Sequence, residues 1–277
     1  MKIRNEDLIS RSNPLVSAKG PDATLKETLL AASERVGQRF SGQPDSEAAI
    51  RTSLASLFNS LDLWSQAESE ARRALSLHES AGTGAAKQAL QARTTLVRIL
   101  SRTGQSEAAK AELDRLDKQL AGATDEQSRF WRSSARSTYL MMRGEFIDAA
   151  PQLNAAITAL RKFEPGNTTL LDSLRFDLIA CYALASKHAE AIAESQALIA
   201  EAGQRKEDAA LVVASAKLAV ARAYPKQHDK AEALLLEAQA VIVARLGENH
   251  SRNIQVLGEL LNIAFRQGDW QKAQRYA

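Results

Sequence analysis

Residues 144–157 read GEFIDAAPQLNAAI, and this stretch decides the fold. Gly144 permits a tight turn, Phe146 is a large wedge just after it, and Ala149 is a small contact point one turn into a helix. Leu153 and Ala156 continue the same face at the 3.6-residue spacing of an α-helix. The figure is that of a chain turning sharply into the second helix of a helix–turn–helix unit.

The same figure recurs on both sides. Taking the small residue as a ruler gives Ala67, Ala109, Ala149, Ala191, Ala231 and Ala273, with successive differences of 42, 40, 42, 40 and 42. An internal period of this length predicts a stacked helical array. The wedge three residues before each ruler alanine is Trp64, Ser106, Phe146, His188, His228 and Trp270. The first helix of each pair supplies Leu54/Ala55/Phe58, Leu96/Val97/Leu100, Ser137/Leu140, Leu178/Ile179/Tyr182, Leu218/Ala219 and Leu260/Leu261/Ala264. Small residues at fixed places let two helix axes approach, and large ones fill the groove beside them. Breaks between pairs fall at Gly82-Thr83-Gly84, Gly122-Ala123-Thr124, Pro165-Gly166-Asn167, Gly203 and Gly247. The pair holding Arg222 and Pro225 is the least regular, with a first-helix register open by a residue or two, and Pro151 lies deep enough in its helix to bend it.

Composition agrees with a helical array. Of 277 residues, 45% are hydrophobic but only 5% aromatic, with six prolines and thirteen glycines, and no β-branched run is flanked by turn residues. The net charge is +3, and basic and acidic side chains are interleaved, which reads as a solvated surface with i,i+4 pairs. No Lys/Arg block with interleaved aromatics marks a nucleic-acid surface. The single cysteine, Cys181, sits in an apolar helix pattern and reads as a core residue. The most apolar stretch, Ala209 to Tyr224, is broken by Lys217 and Arg222, so no membrane-spanning helix is predicted. Lys2 and Arg4 are followed by Glu6 and Asp7 and not by an apolar run, so no signal peptide is predicted at Met1.

Residues 1–21 lack periodicity and read as an extended lead-in. Residues 22–43 read as an N-terminal capping helix, opened by a Thr24-x-x-Glu27 capping box, with Leu25, Leu29, Ala32, Val36 and Phe40 on one face. Residues 44–277 then hold six helix pairs, the last stopping at Ala277 midway through its second helix. That end leaves Trp270 and Tyr276 poorly covered, which predicts either a longer natural chain or a second copy seated there as a homodimer.

These positions resemble the tetratricopeptide repeat (TPR), in its long, kinesin-light-chain-like variety. Leu246 to Tyr276, LGENHSRNIQVLGELLNIAFRQGDWQKAQRY, resembles that variety's LGxDHPxxxxxLNNLAxLYxxxGxYxxAxxxY pattern without gaps. His250 matches the linker histidine, Gly268 the turn glycine, Trp270 the turn aromatic and Ala273 the small contact. Ser251 departs where proline is usual, and Ala264 where tyrosine is usual. The resemblance implies an all-α, right-handed superhelical solenoid of antiparallel helix pairs. The segment from Asp22 to about Leu77 also resembles the one that opens the repeat region of certain bacterial membrane regulators. Those carry a Ser/Thr kinase or winged-helix DNA-binding domain, one transmembrane helix, and repeats outside the cytoplasm. This second resemblance implies a periplasmic, protein- or peptide-binding sensory module of a membrane-anchored signalling regulator. The alternatives are a cytoplasmic adaptor, scaffold or self-assembly module and, third, a small-molecule-sensing array in which a pocket between repeats binds a metabolite.

No catalytic constellation is present. His78, His188, His228 and His250 lie on different repeats without metal-ligand spacing, and the two at wedge positions read as packing residues. Glu112, Asp117, Glu190 and Glu194 read as helix-surface carboxylates. Neither an enzyme nor a cofactor is expected. The working surface is expected on the concave face, which the first helices line. Its residues are Thr52, Ser56 and Asn59 in pair one and Gln91, Thr94 and Arg98 in pair two. Trp131, Ser134, Thr138 and Met141 follow in pair three, and Ser173 and Phe176 in pair four. An exposed Trp beside Met and Phe would anchor a peptide or helix. Chaperone-tail-binding members of the family hold a carboxylate with Lys, Asn and Arg clamps. Thr52 and Ser56 stand where Lys and Asn would be required, which argues against such a clamp.

Overall fold

The structure is a computed structural model and describes residues 25–82, 87–205 and 209–277. The lead-in at 1–21, the start of the capping box at Thr24 and the break residues Thr83 and Gly84 lie outside the described residues. Among those described, there are helices and no strand. In chain order they are α1 (Leu25–Arg39), α2 (Pro44–Ser60), α3 (Trp64–Ser80), α4 (Lys87–Arg102), α5 (Ser106–Gln119), α6 (Glu126–Met142) and α7 (Phe146–Phe163). They continue as α8 (Thr168–Leu184), α9 (His188–Gly203), α10 (Ala209–Ala221), α11 (His228–Leu246), α12 (Ser251–Gln267) and α13 (Trp270–Tyr276).

Each wedge residue is the first residue of a second helix: Trp64, Ser106, Phe146, His188, His228 and Trp270 open α3, α5, α7, α9, α11 and α13. Each ruler alanine is therefore the fourth residue of its helix. Its amide donates to the carbonyl just before the helix, from Ala67 to Leu63 at 2.9 Å through Ala273 to Asp269 at 3.0 Å. All six are 5% exposed or less.

Four of the turns before second helices close in one geometry, and Gly144 in the third pair's turn shares their left-handed backbone. Leu63, Gln105, Lys187 and Asp269 donate back to the carbonyls of Phe58, Leu100, Tyr182 and Ala264, five residues earlier. This is a Schellman closure, which needs a left-handed residue just past the helix end. Gly104, Gly144 and Gly268 supply it at φ 76°, 77° and 72°, whereas Asp62 and Ser186 adopt φ 56° and 59° with a side chain in place. A left-handed non-glycine residue costs roughly 1–2 kcal/mol, partly offset by glycine's greater loss of chain freedom on folding. Asp62→Gly and Ser186→Gly should each raise stability by up to about 1 kcal/mol, read as a higher urea midpoint.

The fifth pair departs from this figure for a local reason. First helices end at Ser60, Arg102, Met142 and Leu184, so the 42/40 period carries the next end to about residue 224, yet α10 stops at Ala221. Pro225 disfavours helical backbone at Tyr224, the residue before it. Arg222 to Tyr224 leave the helix, and the buried positions of α10 become Ala214, Ser215, Ala216, Val220 and Ala221. Leu218 and Ala219, expected to face the core, are only half-buried. Pro151 is accommodated within a continuous α7, on its exposed side.

The chain forms two compact units. One comprises Met1–Thr124 with Ser134–Met142, and the other Asp125–Ser133 with Arg143–Ala277. In the first, α2 packs on α3 and on α4, and Leu29 and Val36 of α1 join Phe58, Leu96 and Leu100 in one core. In the second, α8 packs on α7, α9 and α10, around Ile179, Leu198, Leu235, Ile242 and Leu260. Within each unit, successive pairs meet through the second helix of one pair on the first helix of the next, and in α2/α4 and α8/α10 also first helix on first helix. Cys181 lies in the second unit, and burial, with the Asp177 charge adding to it, pushes its thiol up to about 12. That thiol is no nucleophile at neutral pH.

The charges correct the expectation of a wholly solvated pattern. Arg93 of α4 is 3% exposed and donates to Glu112 of α5, to Gln119 at 2.8 Å and to Glu79 of α3 at 2.9 Å. Arg175 of α8 is 2% exposed and pairs with Glu194 and Glu201 of α9. Arg51 of α2 holds Glu47 at 2.8 Å and Glu70 of α3 at 2.7 Å. Burial opposes the Arg51 charge, but the two carboxylates outweigh it and its pKa rises above the ordinary arginine value. Arg51/Glu70, Arg93/Glu112 and Arg175/Glu194 share one register, a first-helix arginine and a second-helix glutamate 19 residues on. Glu112, expected on the surface, is buried.

His78 of α3 is 3% exposed. Burial lowers its pKa below the ordinary 6.5, with the Asp45 charge opposing. The unfolded chain therefore binds the proton more readily, so stability is full above about pH 6.5 and declines as pH falls below it. Melting temperature should drop between about pH 7 and 5, and His78→Leu should flatten that slope.

Candidate partner-binding surface

The proposed first-helix residues fall on one stripe of each helix, but the core takes some of them. In the first unit Thr52, Thr94 and Ser134 are buried at 2%, 1% and 3% exposure. They do not offer the solvent-facing contacts expected of them. Thr52 Oγ1 donates to the Ala48 carbonyl at 2.9 Å, so the hydroxyl is satisfied within its own helix. Thr94 Oγ1 is buried without a partner. Ser56, Asn59, Gln91, Arg98, Thr138 and Met141 are half-buried and retain an accessible face. Ser56 donates to the Thr52 carbonyl at 3.2 Å and Thr138 to the Ser134 carbonyl at 3.1 Å. Asn59 keeps a buried, unpaired Oδ1. α2 packs on α4, so the helices that carry Ser56 and Asn59 and Gln91 and Arg98 are neighbours.

In the second unit Trp131 is half-buried and meets Phe130 edge-on, ring centroids 4.8 Å apart. Phe130 in turn packs on Phe163 at 5.3 Å. Trp131 Nε1 is buried and has no partner. Phe176 is half-buried against the core of this unit, and Ser173 is exposed. Asp125, just ahead of α6, accepts from the Ser128 amide at 2.9 Å, and hydrogen bonds from Ser128 hold its carboxyl below the usual range.

The structure also forms a cleft of about 640 Å³ in the second unit, which sequence reasoning missed. It lies where the turns of the fourth and fifth pairs meet α12, and His188, His228, Arg222, Tyr224, Asn262 and Arg266 line it. Its sequence signal was histidine at two successive wedge positions 40 residues apart, read above as packing. Among the described residues no cluster of His, Cys, Asp or Glu could hold a metal ion, and no helix is long and apolar enough to cross a membrane.

No protein-family model matches the chain, and no curated protein matches it. Solved structures do. A crystal structure of nearly identical TPR-like repeats, described as those of a Podosopora anserina kinesin light chain, superposes with a TM-score of 0.54 at 15% identity. That match covers 74% of this chain and 98% of the other. A variant of the same repeats gives a TM-score of 0.53 at 16% identity, covering 70% and 93%. The fold is tetratricopeptide-like. At this identity the likeness concerns the path of the helices, and this chain's side chains are its own. A tetratricopeptide-like fold accounts for the wedge at each second-helix start, the methyl-sized ruler position and the packing of first helix on first helix.

Proposed function

We propose that this chain is a protein- or peptide-binding module and not an enzyme, with partners seated on the accessible stripes of its first helices. The supporting observation is the half-buried set Ser56, Asn59, Gln91, Arg98, Thr138 and Met141 in the first unit, side chains that the core does not consume. Trp131, Ser173 and Phe176 are the corresponding candidates in the second. The resemblance of Asp22 to about Leu77 extends the reading to a periplasmic sensory module of a bacterial membrane-anchored kinase or transcriptional regulator. Affinity capture tests it: immobilised chain, periplasmic and cytosolic extracts passed separately, and an Arg98→Glu/Trp131→Ala variant alongside. A periplasmic protein retained by the wild type and lost from a folded variant supports the sensor. Retention of the same proteins by both chains overturns the surface assignment, and a cytosolic partner moves the reading to an adaptor.

A second reading, self-assembly through the C-terminal end, is favoured by one observation. Phe265 and Trp270 are 51% and 69% exposed and stack edge-on at 5.6 Å. In the first pair the equivalent Trp64 instead lies under the Arg102 guanidinium, 5.5 Å from the ring centroid. A homodimer that Trp270→Ser abolishes in light scattering supports this reading, and a monomer at high concentration removes it.

A further inference from the structure

We propose that the cleft beside the fifth pair is a binding site for a small organic anion, one that carries a carboxylate or phosphate on an apolar body. The proposal is independent of the first-helix surface. Its origin is the early end of α10: with Pro225 holding Tyr224 out of the helix, Arg222 and Tyr224 become wall instead of a last helical turn. The volume, about 640 Å³, falls within the range of small-molecule sites. Buried Leu235 and Ile263 give it an apolar floor.

The polar groups point to negative charge in the ligand. Arg222 is already committed, donating through Nε to Glu259 at 2.7 Å, so these two side chains cancel. Arg266 lines the cleft and makes no ion pair with any described residue. His188 Nδ1 is buried there without a hydrogen-bond partner. His188 and His228 are the first residues of α9 and α11, so two long helices turn their N-terminal, partially positive ends to this space. The Lys230 ammonium, outside the lining, sits 4.3 Å from the centroid of the Tyr224 ring. Glu259 is the only acid of the lining and is neutralised by Arg222. An anion therefore meets one uncompensated guanidinium and the N-terminal ends of α9 and α11, with its body beside Tyr224 and Ile263.

Histidine ring resonances of the whole chain report on this directly. His188 and His228 lie in the cleft, and His78 and His250 serve as internal references. Phenylacetate and phenyl phosphate are titrated separately, with inorganic phosphate and phenethylamine as controls. The expected result is a saturable shift of the His188 and His228 signals only, by at least one organic anion, with a Kd below about 1 mM. The organic anion that saturates them distinguishes a carboxylate site from a phosphate site. Inorganic phosphate, lacking the apolar body, should bind at least about tenfold more weakly. Arg266→Gln and Arg266→Glu should each weaken binding at least about tenfold, while Arg275→Glu, exposed on α13 outside the lining, leaves it unchanged. No saturable shift with either organic anion up to about 10 mM overturns the proposal. So does equal binding of phenethylamine, or an unchanged Kd in both Arg266 variants.

Discussion

Arg93→Leu is expected to destabilise the first unit by about 3–5 kcal/mol. The cost comes from what the substitution leaves behind. Arg93 satisfies Glu112, which is 6% exposed, and removing the guanidinium strands a buried carboxylate. The ion pair itself is not the source of stability, because two charges taken out of water pay a desolvation penalty of the same order as their attraction. Replacing both members, in Arg93→Met/Glu112→Leu, should therefore recover most of the loss. Arg115→Leu tests the contrast: Arg115 also pairs with Glu112, but its side chain is 63% exposed, so its removal should cost no more than about 1 kcal/mol. Urea unfolding of the four proteins measures all of this. A loss below about 1 kcal/mol for Arg93→Leu would show that Glu112 reaches water in the folded state. Arg175→Leu should cost less than Arg93→Leu, because the side chains of its partners Glu194 and Glu201 are 25% and 45% exposed and can rehydrate.

Phe58→Ala should cost a similar amount, about 3–5 kcal/mol, by a different route. Phe58 is fully buried, on the last turn of α2, and belongs to the same core as Leu54, Leu96 and Leu100. Its backbone carbonyl also accepts from Leu63, closing the turn into α3. Truncation leaves a cavity that the neighbouring helices cannot fill, since Ala55, Ala67 and Ala71 beside it in this core are already small. Leu57→Ala, one residue earlier and 42% exposed, should cost about 1 kcal/mol or less. Thermal and urea unfolding of the pair separate the cavity from any change in helix propensity.

The parts of the fold that were legible in the sequence are those where one residue size is demanded at a fixed interval. Ala109, Ala149 and Ala191 announce themselves because anything larger would part the helices, and Trp64 and Phe146 because a large side chain must fill the gap beside them. What charge and polarity do in this chain was not legible. Glu112 reads as a helix-surface carboxylate, since nothing local marks its pairing with Arg93, 19 residues away, as buried. Thr52 and Ser134 read as available for binding, but short hydroxyl side chains bury cheaply when a carbonyl four residues back accepts from them, as the Ala48 carbonyl does for Thr52. The cleft was illegible for another reason: Arg222 and Pro225 marked their pair as irregular, but the early end of α10 that opens the cleft does not follow from them alone. His188 and His228 did stand at wedge positions, where the other large wedges are tryptophan and phenylalanine, and that polarity was the available clue.

Six ruler alanines set the spacing of one repeated helix pair. Leucine placed singly at Ala67, Ala109, Ala149, Ala191, Ala231 and Ala273 tests it, with unfolding by urea as the readout. Controls carry leucine two residues earlier, at exposed Ser65, Glu107, Ala189, Asp229 and Gln271. The account predicts a loss of about 1–3 kcal/mol at each ruler position, from overpacking a closed helix interface, and less than about 0.5 kcal/mol at each control. Leucine tolerated at the rulers as readily as at the controls would contradict it.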